Sequence, residues 1–135
     1  MNLQTFVRLV ARVVLGGFLL FTGTAHFTST EAFKAQVPPF LPWPEMIIQV
    51  SGVMELLLGL GLLFAPARYR SRVGWITAAF FVAIFPGNLS QYFTHTSQFS
   101  LDSDTARAVR LLFQPVLVVW GLWCTGALKE WRNRR

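Results

Sequence analysis

The chain has 135 residues, room for one domain and too few for two. Hydrophobic residues make up 53% and charged residues 13%, against roughly 25% charged in an ordinary soluble domain, which excludes disorder and argues against a water-soluble globule. A formal charge of +6 would point to nucleic acid if the basic residues formed a patch, but they flank apolar runs; the single cysteine, Cys124, excludes an intramolecular disulfide, a CxxC pair and a four-thiolate metal site.

A bilayer core of roughly 30 Å needs about 20 mostly apolar residues per helix. Four such runs are expected, at about 6–25, 46–65, 73–91 and 109–128. Unpaired backbone groups in lipid cost several kcal/mol each, and the runs do not alternate as barrel strands do, so helices are expected. The fold expectation is therefore all-α: one domain over 1–135, an integral membrane four-helix bundle of antiparallel spans. In the first run, Arg8 and Arg12 followed by an apolar stretch and Thr22 to Ala25 also fit a secretory signal peptide. Retention is the preferred reading, because Gly16 and Gly23 lie seven apart on one face and suit close helix packing, as Gly52, Gly59 and Gly121 do elsewhere.

Pro38, Pro39, Pro42 and Pro44 interrupt the segment after the first run, with Phe40 and Trp43 between them for the headgroup zone. Just before it, 30–37 is expected as a short interfacial helix with Thr30 as cap and Phe33 and Val37 on one side. The loop at 65–72 is short and basic, and Asp102 to Thr105 reads as a cap for the fourth run. Arg8, Arg12, Arg68, Arg70, Arg72, Lys129, Arg132, Arg134 and Arg135 fall on one side, nine basic residues against Lys34, Arg107 and Arg110 on the other. That imbalance places both termini in the cytoplasm, in a multi-pass protein of a bacterial inner membrane, and accounts for the basic excess without nucleic acid.

Polar groups inside the runs must find partners in the protein or face water. Glu55 lies roughly 14 Å into the second run by helix rise, and Asn88, Arg110, Gln114 and the nearly superficial His26 fall in the outer half. Gly52, Glu55 and Gly59 share a face, as do Arg110 and Gln114. Pro86 and Pro115 free the carbonyls of Val82 and Leu111. His26, Glu55, Asn88, Arg110 and Gln114 are thus the expected ligand-binding pocket, with Glu55 paired with Arg110 or carrying a proton. No metal site is expected.

Gly23-x-x-His26-Phe27, Phe33, Val37-Pro38 to Pro44, Ser51-Gly52-x-x-Glu55-x-x-x-Gly59, Phe85-Pro86-Gly87-Asn88 and Arg110-x-x-x-Gln114 occur in this order. In this the chain resembles the DoxX-like family of small four-helix bacterial membrane proteins, departing from it at Gly87, where Ala is usual, and Leu112, where Pro is common. The resemblance implies a small integral membrane protein, and its relatives include a subunit of a thiosulfate:quinone oxidoreductase. The leading expectation is an accessory subunit that binds a quinone-like or lipid-like molecule in the outer-half pocket, with no intrinsic cofactor. The bilayer, a small apolar ligand, and a protein partner or second copy are the expected partners. The alternative is a membrane oxidoreductase or isomerase with Glu55 and His26 as acid and base; a small transporter comes third.

Overall fold

The computed structural model describes residues 2–34, 37, 40–86 and 104–134, apart from the side chains of Ala32, Asp104, Arg107 and Arg110. Among these the chain is helical, as α1 (Leu3–Thr28), α2 (Thr30–Phe33), α3 (Pro44–Phe64), α4 (Ala67–Ala83), α5 (Asp104–Cys124) and α6 (Ala127–Asn133).

Local chemistry sets the ends. Asn2 caps α1, its Oδ1 accepting from the Thr5 amide at 2.8 Å. Pro44 occupies the first turn of α3, where its missing N–H costs nothing. Trp43 before it takes φ 53°, a left-handed backbone uncommon for a bulky residue. Pro66 opens α4 directly, so Arg68, Arg70 and Arg72 lie inside a helix and not in the expected loop. α4 ends at Ala83, with Ile84 at the cap position donating its N–H to the Phe80 carbonyl at 3.0 Å, and helical backbone resumes at 85–86.

Two expectations are corrected. The fourth run is not one helix to Leu128: α5 ends at Cys124, Gly126 takes φ 82°, and α6 leaves at 69° to the preceding helix. The interfacial helix is only Thr30–Phe33, Ser29 holds its cap position, and the Thr30 hydroxyl turns back to donate to the His26 carbonyl at 2.7 Å.

α1 and α3 are long and apolar enough to cross a membrane, and the bent pair of α5 and α6 passes the same test if taken as one span. Their outer faces are lipophilic: Val10, Val14, Phe18 and Phe21 on α1, and Val50, Val53, Leu57, Leu60 and Phe64 on α3, are exposed. A soluble protein would not present so continuous an apolar surface. α1 and α3 share the most extensive interface; α5 packs on α1 and α4, and α4 also meets α3 and α6. Leu15, Leu19, Leu58, Leu62, Phe81, Leu117 and Cys124 form the core between them. Trp120 ties α5 to α1 by donating from Nε1 to the Ala11 carbonyl at 3.0 Å.

Gln114, 2% exposed, ties α5 to α4 by donating from Nε2 to the Phe81 carbonyl at 2.6 Å. It thus serves the end of α4, where the helical ladder stops. Replacing it by Leu leaves that buried carbonyl without its donor, so Gln114→Leu is expected to destabilise the protein by about 1–3 kcal/mol. An unchanged melting temperature in detergent would contradict this.

Candidate functional site

The buried residues of α1 are Arg12, Leu15, Gly16, Leu19, Gly23 and His26, and those of α3 are Ile48, Gly52, Glu55, Leu58, Gly59 and Leu62. Steps of three and four put each set on one stripe, and the two stripes face each other. At two levels the backbones almost touch. A Cβ added to Gly59 would lie 2.9 Å from the Gly16 carbonyl oxygen, and one added to Gly23 would lie 3.0 Å from that of Gly52. Pairing 16 with 59 and 23 with 52 sets an antiparallel register in which residue 55 faces residue 20 and residue 26 faces residue 49.

In that register His26 and Glu55 flank the Gly23–Gly52 level, and since helical side chains lean toward the N-terminus of their own helix, the two lean toward each other and meet. His26 Nε2 lies 2.7 Å from Glu55 Oε2, and both side chains are about nine-tenths buried. On the other side of the ring, Nδ1 lies 2.8 Å from the Ile48 carbonyl. A carbonyl only accepts, so Nδ1 carries a hydrogen. Nε2 then either carries a second hydrogen and faces a carboxylate, or offers its lone pair to a protonated carboxyl. The pair is neutral overall in both forms, and one proton moving between two atoms interconverts them. Oε2 receives no hydrogen bond of good direction, although Nε2 is so close. The direction of the hydrogen between them depends on which group holds the proton. Thr22 supports the other oxygen, its Oγ1 lying 3.2 Å from Glu55 Oε1 and 3.3 Å from the Leu19 carbonyl. With one hydrogen it serves one of them at a time.

The segment after α1 folds over the pair. The Phe33 ring lies 4.0 Å from the His26 ring, centroid to centroid, at 34°. Lys34 holds this segment to the start of α3, its Nζ lying 2.8 Å from Glu31 and 3.2 Å from Glu45. Hydrogen bonds to Glu31 first and Glu45 second hold its ammonium above the ordinary lysine pKa. A cavity of about 650 Å³ opens at this end of α3 on Trp43, Pro44, Glu45, Met46 and Gln49.

Of the five residues expected to converge, His26 and Glu55 are in contact. Glu55 meets His26, the expected pairing of Glu55 with Arg110 lies outside the described residues, and His26 is buried where it was expected near the surface. Gln114 is buried as expected, with its bond to Phe81 on the α4 side. Asn88 and the Arg110 side chain lie outside the described residues. Thr22 was missed, although it stands four residues before His26 on the same helical face. Arg12 was read as a flanking charge, yet it is 6% exposed and donates from Nη1 to the Leu62 carbonyl at 2.7 Å. Its position four residues before Gly16, on the stripe of Gly16 and Gly23, is the signal that places it inside. Among the described residues no group of three or more His, Cys, Asp or Glu side chains is placed to hold a metal.

The family model of a domain of unknown function, DUF8561, matches residues 15–125. No curated protein and no solved structure matches the chain.

Proposed function

We propose that this chain, which belongs to the DUF8561 family, is an accessory membrane subunit whose His26–Glu55 pair receives the polar head of a quinone-like or lipid-like molecule. The observation that carries the reading is the 2.7 Å contact between two buried titratable side chains. Such groups are expensive to keep inside a membrane, which makes a functional use the default hypothesis for them. The pair suits a head group that can accept or donate. The one hydrogen the pair holds can be offered to a carbonyl oxygen, and its carboxyl oxygens can accept from a hydroxyl, so head groups of either kind can be held without any change of oxidation state. The apolar body of the ligand would stay among the exposed side chains of α1 and α3.

In this reading the helices are four antiparallel spans of a bundle in a bacterial inner membrane, with both termini cytoplasmic. The nine-to-three imbalance of basic residues supports the orientation, and the mutual packing of α1, α3, α4 and α5 supports the bundle. The likeness to DoxX-like proteins supports the accessory role. A reporter fused after Arg135 is expected to be active only on the cytoplasmic side.

The test is thermal unfolding of the purified protein in detergent with a panel of alkylated benzoquinones, naphthoquinones and neutral lipids. At least one class is expected to raise the melting temperature, and Glu55→Gln is expected to remove that rise. No shift across the panel eliminates the ligand. An equal rise in Glu55→Gln leaves the pair a clamp between helices.

A further inference from the structure

The opposite end of the α1–α3 seam holds a second polar site, which the pair at His26 does not explain. A cavity of about 340 Å³ is lined by Thr5, Arg8, Leu9 and Arg12 of α1, Arg70 of α4, and the break from Cys124 to Gly126. Its volume lies at the small end of the roughly 300–1,000 Å³ of small-molecule sites, enough for a head group but not for a whole lipid. Three guanidinium groups border it. Arg12 is held by the Leu62 carbonyl, and Arg8 lies 5.9 Å from the centroid of the Trp123 ring.

These charges have no acidic counterpart among the described residues. Glu55 is taken by His26, Glu31 and Glu45 by Lys34, and Glu130 by Arg134. The Nε atoms of Arg8 and Arg70 are moreover enclosed without any hydrogen-bond partner. A buried donor left unsatisfied is costly, and like charges around one cavity repel. A phosphate group relieves the repulsion by bringing negative charge, and its oxygens match the planar fork of an arginine. Basic pockets between membrane helices on the cytoplasmic side are suited to anionic head groups.

We propose that the cavity bordered by Arg8, Arg12 and Arg70 is a phosphate-binding site, filled by the head group of an anionic phospholipid or by free phosphate. It depends on the membrane reading only for the lipid source, and not at all on the His26–Glu55 pair.

The experiment measures the melting temperature and binding isotherms of the full chain in neutral detergent. The additions are phosphatidylglycerol, phosphatidylcholine of the same acyl chains, or inorganic phosphate. Phosphatidylglycerol is expected to bind more tightly than phosphatidylcholine; a stabilising effect of inorganic phosphate without that preference assigns the site to the free anion. Arg8→Gln and Arg70→Gln are each expected to weaken binding about tenfold, the loss of one charge-assisted hydrogen bond. Arg70→Lys keeps the charge without the fork and is expected to recover part of that loss. Arg132→Gln removes an equal charge outside the cavity and is expected to change binding less than twofold. Wild-type protein that neither prefers phosphatidylglycerol nor responds to phosphate overturns the proposal. So does an Arg132→Gln loss as large as that of Arg70→Gln, which would indicate attraction to the surface alone.

Discussion

Gly59→Ala is expected to lower the stability of the detergent-solubilised protein by about 1–3 kcal/mol, the usual cost of forcing extra volume into a well-packed interface. Helix propensity works the other way, since alanine is about 1 kcal/mol better than glycine inside a helix. The contact decides which effect wins. The new Cβ would sit 2.9 Å from the Gly16 carbonyl oxygen and 3.0 Å from Leu20 Cγ. The leucine can rotate; the carbonyl belongs to the α1 backbone and can yield only if the two helices part. Gly17 provides the control, because nothing lies within 4 Å of a Cβ built there. Gly17→Ala is expected to leave stability unchanged or raise it by up to about 1 kcal/mol. Thermal or denaturant unfolding of the two variants side by side checks the pair, and equal behaviour would refute the glycine-paired register.

That register also explains what could be read from the chain and what could not. Gly16 and Gly23 are seven residues apart, and so are Gly52 and Gly59. Each spacing marks a face of close approach, and matching the two antiparallel pairs, with side chains leaning toward each helix's own N-terminus, brings residue 55 towards residues 22 and 26. Reading depth from each apolar run separately loses this, because α1 continues through His26 to Thr28 and carries the imidazole under α2. A helix that stopped at residue 25 would have left His26 at the rim. Hydropathy marked the apolar stretches of α1 and α3 but not the break at Thr125 and Gly126. Only the fold supplies its reason: Gly74 of α4 leaves the room that the Thr125 side chain occupies. The arginine cavity was illegible for a related reason. Arg8, Arg12 and Arg70 are indistinguishable in sequence from charges that fix topology, and α1, α4 and the α5–α6 bend must come together before they become a site.

The His26–Glu55 pair is expected to yield a coupling energy of about 2–3 kcal/mol in a double-mutant cycle, at the upper end of the range for contacting residues. Removing one partner from a buried ion pair costs about 3–5 kcal/mol, because the other charge remains in low dielectric. Removing one partner from a neutral hydrogen-bonded pair costs about 1–3 kcal/mol. Glu55→Leu therefore distinguishes the two protonation forms by its magnitude, while His26→Leu combined with Glu55→Leu should cost less than the two single losses together. Glu55→Gln adds a chemical criterion. The glutamine amide can donate to Nε2 while Nδ1 continues to donate to the Ile48 carbonyl, so a neutral pair tolerates it and an ion pair does not. Stability near that of the wild type for Glu55→Gln, together with a large loss for Glu55→Leu, identifies the neutral form, with the proton on the carboxyl and the Nε2 lone pair facing it. Strict additivity of His26→Leu and Glu55→Leu would mean that the two side chains lie close without sharing a proton, and would remove the basis for proton exchange with a bound head group.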